Sequence, residues 1–166
     1  LSTAPPNVFL PRWWLEGIAT WSETQHTNAG RGRSAYYEMV FRMAVAEGNF
    51  PAISKINGEP PYWPNGHMPY MFGLRLHKYI ADKYGVKTLT DLTYSHSGRY
   101  PYFLNGVPSR LLSGANYVTL YDEMTDDVKK EQGGRIVALT REPFTETNTI
   151  SSDGEQLTHP RYSPDG

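Results

Sequence analysis

The stretch that decides the fold is PRWWLEGIAT, residues 11–20. Its apolar side chains are typical of a buried helix face, yet it carries one acidic residue, Glu16. An unpaired carboxylate is so costly to bury that it normally protonates, pairs with a cation or binds a metal. Because Pro11 suits a first helical turn, the sequence predicts a helix from about Pro11 to Gln25. The role of Glu16 in that helix is the first question about function.

Composition places the chain among ordinary globular proteins. Its 166 residues suffice for one domain, or one domain and a tail. A hydrophobic fraction of 39% is too high for disorder. The net charge of -1, without a cluster of Lys or Arg, predicts no nucleic-acid partner. No apolar run approaches the roughly 20 residues of a membrane span, so we expect no membrane insertion. The absence of cysteine excludes disulfides and thiolate metal sites.

Helical patterns continue after the first helix. The further helices are expected at residues 35–47, at 70–84, in a short segment from 88, and from 109 to about 132. In the second of the five, Tyr36, Val40 and Met43 form the predicted core-facing stripe. Residues 48–69 contain five of the 13 prolines and no periodicity. Such a long irregular segment in a compact domain is usually functional or mobile.

The character of the sequence changes at Gly133 and Gly134. The residues that follow are rich in Thr and Ser and contain short β-type runs. We therefore predict a helical domain at residues 1–132 and a β or extended segment at residues 133–166. The fold class expected is mainly α, a helical bundle with an extended or β C-terminal tail.

A second carboxylate accompanies Glu16. Glu23 lies seven residues, or two helical turns, further on, so both side chains point to the same side. Gly17 costs a helix up to about 1 kcal/mol relative to Ala, which is sensible if a ligand or another helix must approach closely. The plainest interpretation is a buried glutamate paired with an arginine such as Arg12, one turn earlier in the helix.

The extended stretch PRWWLEGIATWSE, residues 11–23, resembles the third-ligand helix of the gluzincin zinc metallopeptidases. These enzymes combine a helical HExxH motif with a downstream zinc-binding glutamate. The resemblance implies that Glu16 is the zinc ligand and that Glu23 orients a zinc-bound histidine through its other ring nitrogen. Leu15 replaces the polar residue of the aminopeptidase relatives, which argues against their amine recognition.

Two further stretches are similar to the same family. Residues 69–92 resemble the helix that follows the third ligand, and residues 105–112 resemble the glycine-containing cap of the next helix. The likeness covers about residues 11–132. It implies a bundle like the C-terminal lobe of these enzymes.

The chain departs from the family in one respect, because none of its five histidines belongs to an HExxH motif. That motif supplies two zinc ligands and the general base, and in the family it lies upstream of the glutamate helix. Since the chain opens on Leu1 rather than Met, we expect an excised piece of a longer protein. With one ligand of three, it should bind no zinc and be inactive alone. Glu16 should then lie metal-free in a partly open groove, or pair with Arg12.

The aromatic stretch PPYWPNGHMPYMFG, residues 60–73, supplies candidate catalytic side chains. Gluzincins need a Tyr or His that stabilises the oxyanion of the tetrahedral intermediate. The resemblance favours Tyr70 in that role, with His67 or Tyr62 behind it. The alternative is that these aromatics only pack a proline-rich loop onto the domain. The lone histidines at positions 77 and 96 are expected at the surface or the edge of the core.

The C-terminal LTHPRYSPDG, residues 157–166, resembles the PD40 repeat of TolB-like β-propellers. Together the two resemblances imply a bacterial periplasmic or envelope protein, with a metallopeptidase-like domain followed by a propeller. Its partners would be a peptide or protein substrate, its own N-terminal lobe and the propeller, and its cofactor Zn²⁺. The alternative is a non-catalytic helical protein-interaction module of an envelope protein, with Glu16 merely salt-bridged. A small-molecule-binding helical domain is compatible with the composition but has no motif.

Overall fold

The computed structural model describes residues 10–61, 63–97 and 104–148, which form a helical body. Its α-helices are α1 (Arg12–His26), α2 (Ala35–Ala46), α3 (Met68–Tyr84), α4 (Val86–Ser97) and α5 (Tyr117–Leu139). These described ranges contain no β-strand and no helix long and apolar enough to cross a membrane. The mainly-α prediction is confirmed. The predicted propeller motif at residues 157–166 lies outside the described residues.

The closest helix contact joins α1 to α3 through two glycines. A Cβ atom on Gly17 would overlap the backbone of Gly73, and one on Gly73 would overlap the carbonyl oxygen of Trp13. Only residues without a side chain allow two helix backbones to approach this closely. Gly17 therefore serves the approach of a second helix, one of the two possibilities that its place in the sequence suggested.

Two neighbouring tryptophans of α1 anchor the core beside this contact. Trp13 and Trp14 are both buried. The indole N–H of Trp14 donates to the Tyr117 hydroxyl at 2.9 Å, and that hydroxyl lies 2.8 Å from Nε2 of His96. A buried tryptophan or tyrosine usually finds such a partner. This chain of hydrogen bonds joins α1, α4 and α5.

The histidines of the core correct the sequence prediction. His77 and His96 were expected at the surface or core edge, but both are buried. Nδ1 of His77 donates to the Gly73 carbonyl at 2.7 Å, since a carbonyl oxygen only accepts. Its Nε2 is buried without a hydrogen-bond partner. Burial lowers the pKa of His77 to about 4, so the ring is neutral in the folded protein.

The core face of α2 differs from the predicted stripe. Its buried residues are Tyr37, Val40 and Phe41, whereas Met43 is 39% exposed. The helix is turned because the ring of Phe41 packs edge-on against Phe72 of α3, with centroids 5.2 Å apart. Periodicity alone allowed either face.

Helix α5 begins later and ends later than predicted. It starts at Tyr117, where Oδ1 of the preceding Asn116 accepts from a backbone N–H at 3.0 Å. It does not stop at Gln132 but continues to Leu139 through both glycines. The short run RIVAL, residues 135–139, is therefore helical, whereas the sequence predicted a β or extended segment from residue 133. The domain boundary at residues 132/133 stays a prediction.

Contacts with α2 explain why α5 tolerates its glycine pair. The buried side chain of Gln132 donates through Nε2 to Glu38 of α2 at 2.9 Å. On the far side of the glycines, Arg135 pairs with the same carboxylate at 3.3 Å. Glu38 of α2 thus contacts α5 on both sides of Gly133 and Gly134.

In the irregular segment predicted at residues 48–69, the described residues form no α-helix before Met68. Two contacts fix this irregular segment to the body. Ile56 is fully buried, and the Tyr121 hydroxyl donates to the Pro51 carbonyl at 2.9 Å. The segment is therefore placed by side chains of the helical core.

The glycine contact predicts a strong asymmetry between two Gly-to-Ala substitutions. Gly73→Ala should lower the free energy of unfolding by about 1–3 kcal/mol, because α1 and α3 must move apart. Gly134→Ala is the matched control, since nothing lies within 4 Å of its added methyl group. That substitution should raise stability by about 0.5–1 kcal/mol. Urea unfolding followed by circular dichroism measures both, and equal effects would contradict the packing described.

The buried histidine predicts acid sensitivity. The pKa of His77 is about 4 in the folded protein and about 6.5 when unfolded, so only the unfolded state takes up a proton between these values. The corresponding stability is complete above pH 6.5, falls as the pH drops towards 4, and levels off below. This loss amounts to about 3 kcal/mol.

Unfolding measured in urea at pH 7, 5.5 and 4.5 tests this dependence. The His77→Gln variant should lose much of the pH dependence, whatever its stability at pH 7. His26→Gln is the control, because His26 is exposed and should leave the dependence unchanged. An identical slope in all three proteins would show that His77 does not couple protonation to folding.

Candidate functional site

One face of α1 points away from the core. Arg12, Glu16, Ala19 and Glu23 follow at intervals of four, three and four residues, which places them on one side of a helix. Ala19 is exposed and the other three are half-buried. Both carboxylates named from the sequence therefore lie on this outward face.

Glu16 and Arg12 do not form the pair considered in the plainest interpretation. Arg12 instead binds Glu59, with 2.5 Å between Nη1 and Oε1. Within the described part of the chain, the carboxylate of Glu16 takes part in no ion pair and no hydrogen bond. It lies half-buried on α1 without a side-chain partner among these residues.

Glu23 has a cation partner on the following turn. Its Oε1 accepts from the backbone N–H of Arg31 at 3.1 Å, and its Oε2 accepts from Nε of the same arginine at 2.9 Å. These hydrogen bonds from Arg31 hold the pKa of the Glu23 carboxyl below its ordinary value. The carboxylate thereby orders the start of the turn Arg31–Arg33.

Tyr70 lies between two arginines near the start of α3. The guanidinium carbon of Arg31 lies 5.0 Å from the centroid of its ring, a cation–π distance. The pKa of Arg12 is raised, chiefly by its hydrogen bond to Glu59 and further by the Tyr70 hydroxyl. The ring therefore faces the guanidinium of Arg31, and Arg12 lines the same groove.

His67 lies in the short turn that precedes α3. Its ring packs edge-on against Tyr36, with centroids 6.0 Å apart. Tyr62, the other candidate behind Tyr70, lies outside the described residues. His67 and Tyr70 are thus brought to the same side of the molecule.

His67 and Tyr70 border one surface groove of about 510 Å³, whose lining includes neither Glu16 nor Glu23. Its lining residues are Arg12, Arg31, Tyr37, Glu59, Asn65, Gly66, His67 and Tyr70. We call it the Tyr70 groove. Sequence analysis identified Tyr70 and His67 but missed Arg31, Tyr37 and Glu59, which come from separate segments. The basic run RGR at residues 31–33 was the one available signal.

The Tyr70 groove and the adjoining face of α1 offer little to a metal ion. In the ranges that the structure describes, no three His, Cys, Asp or Glu side chains are placed to hold one. Glu23 and Glu59 are each engaged by an arginine. Among the described residues of this face, only Glu16 presents an uncommitted carboxylate, which fits one ligand of a zinc site and not a complete set.

Comparisons of the chain with protein-family models, with curated proteins and with solved structures give no match. The likeness to gluzincins and to the PD40 repeat therefore rests on the sequence stretches quoted above.

The Arg31–Glu23 contact gives a direct prediction. Arg31→Gln should raise the pKa of the Glu23 carboxyl towards its ordinary value, because the hydrogen bonds of the guanidinium are lost. Carboxyl-carbon NMR shifts followed between pH 2.5 and 7 measure this change. Arg33→Gln is the control, since Arg33 donates to the Thr27 carbonyl instead. A shift of equal size in both variants would contradict the assignment.

Proposed function

We propose that this chain is the C-terminal helical part of a gluzincin-like zinc metallopeptidase. In this proposal Glu16 is the third zinc ligand and Tyr70 stabilises the oxyanion, with His67 beside it. The substrate is a peptide or protein. The parent is a bacterial envelope protein, in which a TolB-like propeller follows the helical part and an N-terminal lobe precedes it.

The observation that carries the proposal is the state of Glu16. Its carboxylate is half-buried and has no ion-pair or hydrogen-bond partner among the described residues, so its acceptor positions are open to a metal ion. It lies on the outward face of α1, where a further protein segment can approach. A metal ion held jointly with that segment would take the Glu16 carboxylate as one of its ligands.

The other residues support the same chemistry by their positions. Tyr70 belongs to the helix that packs on α1 through Gly17 and Gly73, so its distance from Glu16 is held by the backbone contact. A tyrosine hydroxyl near the scissile carbonyl can donate to the developing oxyanion. Zinc, when bound, supplies a water activated for attack on that carbonyl.

Glu23 would orient a zinc-bound histidine in this arrangement. To do so it must exchange at least one of its contacts with Arg31 for the ring N–H of that histidine. The Glu23 carboxylate has two oxygens and about four acceptor positions, so one contact to the histidine leaves room for a remaining contact to Arg31. Arg31 then stays beside Tyr70.

The decisive experiment starts from the coding sequence upstream of Leu1. An HExxH motif roughly 20–60 residues before Glu16 is expected, since the ligands come from consecutive parts of one fold. The longer product should bind one equivalent of zinc and cleave a fluorescent casein. Glu16→Gln should lower both by about tenfold or more.

Glu142→Gln provides the matched control, because Glu142 is exposed and follows the end of α5. It should leave zinc content and cleavage unchanged. The 166-residue chain alone should neither bind zinc tightly nor cleave casein. Stoichiometric tight zinc binding by that chain would contradict the one-ligand proposal, and an upstream sequence without HExxH would contradict the peptidase.

A non-catalytic interaction module is the second candidate. The observation that favours it is the apolar groove between α1 and α4, which is lined by Ile18 and Val86 among others. Val86 is 58% exposed and Tyr94, also in this groove, 74%. Exposed apolar side chains around a groove are typical of protein–protein contacts. Absence of an upstream HExxH motif would favour this candidate.

A further inference from the structure

The Tyr70 groove contains two guanidinium groups with very different anchoring. Arg31 is held by Glu23 through its side chain and through its backbone N–H. It also lies over the Tyr70 ring. Its orientation is therefore determined by three contacts from two different helices.

Arg12 is held much more weakly. Its partner Glu59 belongs to the irregular segment, 47 residues away in sequence. The side chains of Arg12 and Glu59 are 40% and 64% exposed. An ion pair as exposed as this contributes about 0–1 kcal/mol, so another anion can replace it at little cost.

Hydrogen-bond donors remain available in the groove. A guanidinium carries five N–H donors, and Glu59 takes one from Arg12. Glu23 accepts from Nε of Arg31, and Nη2 of the same guanidinium lies 2.9 Å from its Oε2 as an ion pair. The Tyr70 hydroxyl, a group that can donate as well as accept, also belongs to the lining. The groove thus has more donors than its own acceptors use.

We propose that the Tyr70 groove binds the carboxylate group of a peptide in the place of Glu59. Charge balance favours a ligand with one negative charge. Its carboxylate replaces the single carboxylate of Glu59 at Arg12, so the number of negative charges that face this arginine stays the same. The position already accepts a carboxylate, since Glu59 occupies it. The rings of Tyr37, His67 and Tyr70 offer flat surfaces for the adjoining peptide groups.

The inference rests on the proposed function in one respect, since it names an anionic peptide as the substrate class of that site. The binding itself requires neither zinc nor cleavage. It can therefore be tested on the 166-residue chain alone, whether or not the peptidase proposal holds.

The test is an NMR titration of the ¹⁵N-labelled chain with three short peptides. Tri-alanine has a free C-terminal carboxylate, tri-alanine amide has none, and acetyl-Ala-Glu-Ala-amide has only a side-chain carboxylate. The signals of Arg31 should shift and saturate with at least one carboxylate peptide, about tenfold more tightly than with the amide. Whichever carboxylate peptide binds more tightly identifies the terminal or the side-chain source.

Variants of the groove sharpen the result. Glu59→Gln should tighten binding by about two- to fivefold, because the competing internal carboxylate is removed. Arg12→Gln should weaken it by about tenfold. Arg33→Gln is the control and should bind as the unchanged chain does, because Arg33 does not line the groove. Circular dichroism verifies that each variant is folded.

The inference would be overturned by equal binding of the amide and carboxylate peptides, by saturation with none of them, or by no gain of affinity in Glu59→Gln. Tighter binding of inorganic phosphate than of either carboxylate peptide would also overturn it. Carboxylate binding without zinc in the longer product would contradict the peptidase alone, whereas zinc and cleavage without groove binding would contradict this inference alone.

Discussion

The contact between Gly17 and Gly73 is the constraint on which the rest of the structure depends. Two helix backbones touch there, so neither α1 nor α3 can turn without separating the pair. Trp13 and Trp14 are buried beside this contact. The contact also fixes the helix that carries Glu16, the neighbour of one glycine, against the helix that carries Tyr70, one turn before the other. The geometry of the candidate site is thus a by-product of how closely the two helices pack.

Local signals predicted a large part of the fold. The bounds of α1 and α3 agree with the predictions to within two residues, because a proline opens the first helix and Gly85 closes the other. Signals that depend on distant partners could not be used. The burial of His96 follows from Tyr117, and the helical state of Gly133 follows from contacts with α2. No residue close to His96 or Gly133 in the sequence indicates these partners.

The residues of the candidate site were likewise predictable only in part. Helical spacing alone put Glu16 and Glu23 on one face. The groove beside them could not be foreseen, because its walls come from α1, a turn at residues 31–33, an irregular segment and the start of α3. Glu59 in particular lies among prolines, where no period relates it to Arg12. The chemistry of the site therefore depends on pairings that only the folded chain creates.

The continuation of α5 beyond its glycine pair has a mechanical consequence. The seven residues after Gln132 extend the helix by about 10 Å at 1.5 Å per residue. Because a helix turns about 100° per residue, one inserted or deleted residue there would rotate the chain after Leu139 by about 100° around the helix axis. The glycines also make this the most easily bent part of the rod. The number of residues in this helical segment therefore sets the spacing and orientation of the chain beyond α5. The stiffness of the segment depends on its two glycines and on the Glu38 carboxylate, which contacts α5 on both sides of them.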